Sequence, residues 1–273
     1  MNRFTKSMCV IGVALLSLSV VSSSFATTAF SDNFNSYTAG ANLSGQGPWT
    51  ATAAALTPMQ VTNIATGDNA VRLGTSGQDE FAALTSGTVT PGDGNSFYFS
   101  LSLNVISAQA TGDYFMHDST PAGTTTAFFD RLHIKSTTGG FLLGIVETSG
   151  GAVVSYGTGV LTLGTTYQVV VARHFVAGAL NDTLAVYVNP TDTSVELNNT
   201  AYVTKAWTST TAENTAVSAL NLRQGTAANA PAEVVDNILA STTFADVTIP
   251  EPSTVVLVGL GLVGLLGIRR RRS

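Results

Sequence analysis

The residues of this chain that could do acid–base chemistry are its carboxylates, and their spacing does not favour a catalytic pair. Two carboxyl groups that cleave a glycosidic bond lie about 5–9 Å apart. The patterns E-x-D-x-x-E and E-x-D-x-E, in which known glycan hydrolases carry such a pair, do not occur among the six glutamates. Asp79 with Glu80, and Glu233 with Asp236, are the nearest candidates. Their odd spacing puts the partners on opposite faces of a strand. We therefore expect no catalytic residues, unless carboxylates from different strands meet.

The three histidines also give little sign of a catalytic or metal site. His117, His133 and His174 show no HExxH or i, i+4 spacing. Asp113, His117 and Asp118 could ligate a metal if their segment looped, but we favour a strand end with His117 in solvent. We expect His133 and His174 at the surface or at strand edges. G-x-S-x-G, a P-loop and a strand-linked G-x-G-x-x-G do not occur. We predict no metal and no cofactor.

Three aspartates near the ends of the main body leave a calcium alternative open. Asp32, Asp236 and Asp246 could hold Ca²⁺ through carboxylate and carbonyl oxygens. The interpretation that we favour is hydrogen bonding in turns and at strand edges.

The body of the chain, residues 29–249, is acidic and contains no cysteine. Six basic residues face sixteen acidic ones there, and the chain's single cysteine, Cys9, precedes the body. This balance argues against nucleic acid as a partner. Without disulfides, an exported body must be stabilised by its hydrophobic core.

The body has the alternation of β-strands throughout. Phe97, Phe99, Leu101, Leu103 and Val105 share one face of a strand over residues 97–106, with serine and asparagine on the other face. Turn signals separate further strands, and no amphipathic helix intervenes, so the pattern predicts an all-β antiparallel sandwich. The other predicted strands are Ala127–Lys135, Phe141–Glu147, Tyr167–Ala172, Thr183–Val188, Val217–Arg223 and Val234–Leu239.

Both ends of the chain predict export. Residues 1–26 combine basic Arg3 and Lys6 with an apolar stretch and a small-x-small site at residues 24–26, which indicates a signal peptide. At the other end, Ser253–Ile268 is uncharged and as a helix would be about 24 Å long, enough to cross a thinned bilayer. Four arginines follow and predict a cytoplasmic C-terminus: Arg269, Arg270, Arg271 and Arg272.

The C-terminal residues 250–273 resemble the PEP-CTERM sorting signal of Gram-negative bacteria. The resemblance is carried by Pro250, Glu251 and Pro252, the apolar run and the arginine cluster, in that order. It implies processing by an exosortase, a membrane transpeptidase that recognises the tripeptide. It also implies export, a transient membrane anchor, and display or release in bacteria that make exopolysaccharide.

Short segments of the body resemble concanavalin A-like (LamG-type) domains. The resemblance implies a two-sheet jelly roll in which the first and last strands pair, and no single activity. It is carried, in order, by residues 30–37, 43–49, 129–131, 140–145, 167–171, 184–190, 220–225, 235–238 and 244–247. We therefore expect an exported, non-enzymatic surface or matrix protein, with exopolysaccharide as a candidate ligand. The alternative is a secreted glycan hydrolase with a non-standard carboxylate site.

The sorting tripeptide should govern processing and not folding. Replacing Pro250, Glu251 and Pro252 together by alanine should make full-length precursor accumulate, because the recognition motif is lost while the body is untouched. Immunoblots of the native host would measure the precursor, and thermal unfolding of the purified precursor, variant against parent, provides the control for folding. Normal maturation of the triple variant would contradict the sorting interpretation.

Overall fold

The computed structural model describes residues 28–53, 56–148 and 153–248, and this part of the chain is all-β apart from two short 3-10 turns. The predicted signal peptide (1–26) and sorting tail (250–273), including the predicted span Ser253–Ile268, lie outside the described residues. Within them, no helix is long and apolar enough to cross a membrane. The strands are β1 (Phe30–Asp32), β2 (Trp49–Ala51), β3 (Gln60–Ala65), β4 (Asp68–Leu73), β5 (Glu80–Ala83), β6 (Ser96–Ser107), β7 (Asp113–Ser119), β8 (Phe128–Thr137), β9 (Gly140–Thr148), β10 (Ser155–Tyr156), β11 (Thr166–His174), β12 (Thr183–Val188), β13 (Val203–Ala206), β14 (Ala219–Leu222) and β15 (Ala232–Ser241).

Two antiparallel sheets form the predicted sandwich. The eight-stranded sheet has the order β13-β12-β11-β6-β15-β4-β3, with β1 also paired to β15. The seven-stranded sheet has the order β10-β9-β8-β7-β14-β5-β2. Inward-facing side chains of both sheets form one hydrophobic core.

The first and last strands pair, as the resemblance implied. Phe30 lies opposite Ala240 and Asp32 opposite Ile238, while the other edge of β15 pairs with β6. The described body therefore closes on itself between residues 28 and 248, as an independently folding domain does.

Long strands agree with the sequence prediction to within about two residues at most ends. Thr183–Val188 coincides with β12, and the predicted 97–106 strand is β6 with one residue added at each end. The unpredicted strands are β1 to β5, β7, β10 and β13, which are mostly six residues or shorter.

The outer face of β6 is not the solvent-exposed polar face that its alternation predicts. Phe97, Phe99 and Leu101 point into the main core as expected. Tyr98 is buried as well, because Phe244 and Val247 from the end of the body pack over it in a second cluster. Ser100 is also buried, and its hydroxyl donates to the Val247 carbonyl at 2.6 Å.

Phe99→Ala should lower the free energy of unfolding by about 3–5 kcal/mol, because the ring is 1 % exposed and its removal leaves a cavity. Urea denaturation of residues 28–248, followed by tryptophan fluorescence, would measure it. Phe81→Ala is the control, since that ring is only half-buried. A loss no larger than that of the control would contradict the packing.

Glu233 is a carboxyl group inside the core. It is 1 % exposed, and neither carboxyl oxygen has a hydrogen-bond partner among the described residues. Its neighbours across the strands are Leu73 and Val105. Burial raises the pKa of Glu233 well above its usual 4.5. The folded state therefore keeps a proton that the unfolded chain loses, and this contribution to stability falls as pH rises toward the folded pKa.

Glu233→Met should become more stable relative to the parent as pH rises above about 4.5. The difference in unfolding free energy should grow by about 1.4 kcal/mol per pH unit until the folded pKa is reached. Denaturant titrations from pH 4 to 9 would measure it. Glu233→Gln should show the same slope with a different offset, since it too cannot ionise. A difference independent of pH would show that the buried group does not hold a proton.

Candidate functional site

The outer face of the seven-stranded sheet gathers cations and aromatic rings from four strands or strand ends. Leu132 and Ile134 of β8 point into the core, so Arg131, His133 and Lys135 between and beside them point outward. We call this surface the cationic face, and it comprises Tyr114, Arg131, His133, Lys135, Tyr156 and Arg223.

Cation–π contacts hold the charged groups of the cationic face in place. The guanidinium carbons of Arg131 and Arg223 lie 4.7 Å and 4.1 Å from the centre of the Tyr114 ring. The Lys135 ammonium lies 3.9 Å from the centre of the Tyr156 ring. Each such contact contributes about 0.5–1 kcal/mol at a partly exposed site. The charges are therefore ordered before any ligand arrives.

The two arginines differ in how their charge is compensated. Arg223 Nη1 lies 2.9 Å from a carboxylate oxygen of Asp113 and donates to the Tyr114 carbonyl at 3.1 Å. Arg131 donates to the Thr148 carbonyl, and its buried Nε has no partner within the described ranges. No carboxylate forms an ion pair with Arg131 in the part of the chain that the structure describes.

His117 and His133 are buried, which corrects the expectation that they are exposed. The centres of the His117 and Phe128 rings lie 4.4 Å apart, with the rings tilted. The centre of the Tyr114 ring lies 5.6 Å from that of His117 and 5.5 Å from that of His133. Burial, together with the charges of Arg131 and Arg223, lowers the pKa of both to about 3. Both rings are therefore neutral at pH 7.

The neutral His117 ring has a defined tautomer. Its Nδ1 lies 2.9 Å from the Asp118 carbonyl oxygen, which can only accept. Nδ1 therefore carries the proton, and Nε2 is left as an acceptor. In His133, Nε2 is buried and has no hydrogen-bond partner among the described residues.

A pocket of about 170 Å³ adjoins the cationic face. Asp79 lies in its wall, and burial raises the pKa of this carboxyl to about 6. Glu80, the adjacent residue, is fully buried, so the two carboxylates point to opposite faces as their spacing predicts. The pocket is lined by Thr52, Asp79, His117, Thr124, Thr125, Phe128 and Asn221.

The second predicted pair, Glu233 and Asp236, is also divided between two faces. Glu233 points into the core, whereas Asp236 lies in a groove of about 580 Å³ on the outer face of the eight-stranded sheet. Burial, followed by the charges of Asp68 and Asp32, raises the pKa of Asp236 to about 7. The groove is lined by Ile64, Asp68, Ser102, Asn104, Thr166, Val234, Asp236 and Asn237.

Asp113, His117 and Asp118 do not come together as metal ligands. Their segment is strand β7 and not a loop. Asp113 pairs with Arg223, whereas Asp118 is buried and interacts with Asp130 and Arg173. Across the described ranges, no three histidine, cysteine, aspartate or glutamate side chains are placed to hold a metal.

The aspartates considered for calcium make hydrogen bonds within their own turns and strand edges. Asp32 accepts from the Trp49 indole at 2.8 Å and from the Tyr37 hydroxyl. Asp246 accepts from the hydroxyls of Ser241 and Thr243 at 2.9 and 2.6 Å. Asp236 accepts from the Asn237 side chain at 2.8 Å.

His174 ends β11 and lies outside the cationic face. Its Nε2 is 3.1 Å from Glu196, which also accepts from Tyr98 and Tyr187. Its side chain is 33 % exposed, in agreement with the expected position at the surface. The cationic face itself was missed, although the alternation Arg131-Leu132-His133-Ile134-Lys135 carries its signal.

Solved structures similar to this chain include sandwich domains from several sources. One is domain 4 of an extracellular GH43 arabinanase from Geobacillus stearothermophilus, in complex with arabinotriose. It is 12 % identical to this chain, with a TM-score of 0.46, and the match covers 82 % of this chain and 99 % of that one. The CBM2 module of the evolved Dit protein of Lactobacillus casei BL23 phage J-1 is 9 % identical, with a TM-score of 0.46 and coverages of 82 % and 98 %. Alginate lyase vAL-1 from Chlorella virus is 12 % identical, with a TM-score of 0.45 and coverages of 67 % and 88 %.

At the level of sequence, the similarity lies in the tail. No curated protein sequence matches the chain. Residues 248–272 match the PEP-CTERM protein-sorting motif, which marks the protein for export and for exosortase processing.

Proposed function

We propose that this protein is a non-enzymatic component of the cell surface or extracellular matrix that binds polysaccharide through the cationic face. An exosortase processes the tail after transient anchoring in the membrane, and the mature body is displayed or released. The observation that carries the proposal is the convergence of three ordered cations and two tyrosines on one face of a sheet, beside the neutral ring of His133.

The chemistry of the cationic face suits a polymer of sugars. Guanidinium and ammonium groups donate hydrogen bonds to the hydroxyl and ring oxygens of a sugar. From Arg131 to Lys135 the strand covers about 13 Å, which exceeds one sugar ring. The open face of a sheet can bind the interior of a long polysaccharide, with no need for the end of the polymer. A closed pocket would hold only one or a few sugar units.

A secreted glycan hydrolase is the second candidate, and Asp79 is the observation that favours it. A carboxyl with a pKa of about 6 is protonated often enough near neutral pH to act as a general acid. A hydrolase also needs a second carboxylate 5–9 Å away. Asp79 is the one carboxylate in the described lining of its pocket, and Asp118 and Asp130 are buried between the sheets.

The body should retain at least one polysaccharide and release nothing from it. Affinity electrophoresis of residues 28–248 against neutral glucans, galactans, polyuronates and the host exopolysaccharide would measure retention. Tyr156→Ala should weaken retention several-fold, because the ring that orders Lys135 is lost. Ile64→Ala is the matched control, since Ile64 is 50 % exposed in the groove of the other sheet.

Parallel assays of reducing ends and of unsaturated products test the non-enzymatic part. Release that disappears in Asp79→Asn would replace the binding proposal by the hydrolase. Retention that depends on Ile64 and not on Tyr156 would move the site to the other sheet. No retention on any polymer would leave a purely structural role.

A further inference from the structure

We propose that the cationic face selects polysaccharides whose sugars carry carboxylates, that is, uronate polymers, with one carboxylate seated against Arg131. This inference rests on the proposed function and narrows it to one class of ligand.

The distribution of positive charge over the body singles out this face. Arg173 is buried and lies 2.8 Å from the carboxylate of Asp182. Lys205 is also buried and lies 3.6 Å from the carboxylate of Glu147. Arg72 is exposed on the opposite sheet. The remaining three cations of the body are Arg131, Lys135 and Arg223, and all three lie on the cationic face. The whole chain has a net charge of −5, so the cationic face is a positively charged region on a negatively charged protein.

The positive charge of the face is only partly compensated within the protein. Asp113 pairs with Arg223 at 2.9 Å. Arg131 and Lys135 form no ion pair with a described carboxylate. A partly buried guanidinium without a counter-ion is unfavourable, and an incoming carboxylate would supply the missing charge. The planar guanidinium fork matches the two oxygens of a carboxylate.

The groups around Arg131 complete a site for an acidic sugar. Both guanidinium groups lie over the Tyr114 ring, and this contact restricts their movement. His133 is held neutral beside them, as is His117, so neither ring adds a charge that changes near pH 7. The Lys135 ammonium, over the Tyr156 ring, can donate hydrogen bonds to hydroxyl groups of the same polymer.

The test compares one polymer with and without its carboxylates. Residues 28–248 are titrated with polygalacturonate, with the same polymer after reduction of its carboxyl groups, and with a sulfated galactan, at low and at 0.3 M NaCl. We expect polygalacturonate to bind at least about tenfold more tightly than the reduced polymer, and salt to weaken it.

The variants assign the binding to Arg131. Arg131→Gln should weaken polygalacturonate binding by about tenfold, the size of one charge-assisted hydrogen bond. Arg72→Gln makes the same change in net charge on the other sheet and should leave the affinity unchanged. If Arg131→Gln lowers the thermal midpoint, a second variant provides the test. Lys135→Gln removes the ammonium group that lies over Tyr156 and should also weaken binding.

The outcomes separate this inference from the proposed function. Equal binding of the native and the reduced polymer, or binding of the sulfated galactan alone, would overturn uronate selection. If that binding still depended on Tyr156, the proposed function would stand. An equal loss in Arg72→Gln would show non-specific attraction and overturn the site. Absence of binding to every polymer would overturn both.

Discussion

The pairing of β15 in the middle of the eight-stranded sheet is the interaction on which the rest of the fold depends. One edge of β15 pairs with β6, and its other edge pairs with β4 and then with β1. A strand from the end of the body thus joins the first strand to the longest one. Because β15 lies between β6 on one side and β4 and β1 on the other, the two parts of the eight-stranded sheet are joined only when this last strand is in place. The register of β15 also decides which of its residues enter the core, since a shift by one position exchanges the two faces.

A buried ionic cluster fixes how the two sheets face each other. Arg173 of the eight-stranded sheet is 1 % exposed and reaches Asp130 of the opposite sheet at 3.7 Å and Asp182 at 2.8 Å. Burial and the neighbouring Asp130 raise the pKa of Asp118 well above its usual range. Removing one member would leave a charge unpaired in a dry interior, which is strongly unfavourable. Since Asp130 points inward, its neighbour Arg131 points outward, and the same strand that anchors the sheets displays the cationic face.

Sequence alone predicted the long strands because several alternating residues define their period. Thr183–Val188 was predicted without error, whereas β1 and β2, with three residues each, are too short to show a period. The burial of His117 and His133 was not predictable from spacing, because it comes from Tyr114 and Phe128 on the folded sheet. The cationic face was missed for a different reason: an excess of acidic residues over the whole body conceals three cations that the strand order brings together. The separation of Asp79 from Glu80, by contrast, followed directly from the two-residue period of a strand.

The end of the body packs on the sheet opposite to the one that carries the cationic face. Phe244 and Val247 pack on the outer face of the eight-stranded sheet, and Ser100 holds the Val247 carbonyl at 2.6 Å. Thr248, where the sorting motif begins, follows at once. The two outer faces of a sandwich point in opposite directions, so the chain enters its sorting motif from the side opposite to the cationic face. Under the proposed function, polysaccharide would bind on the face of the body opposite to the one that holds Val247, the last residue before the sorting motif.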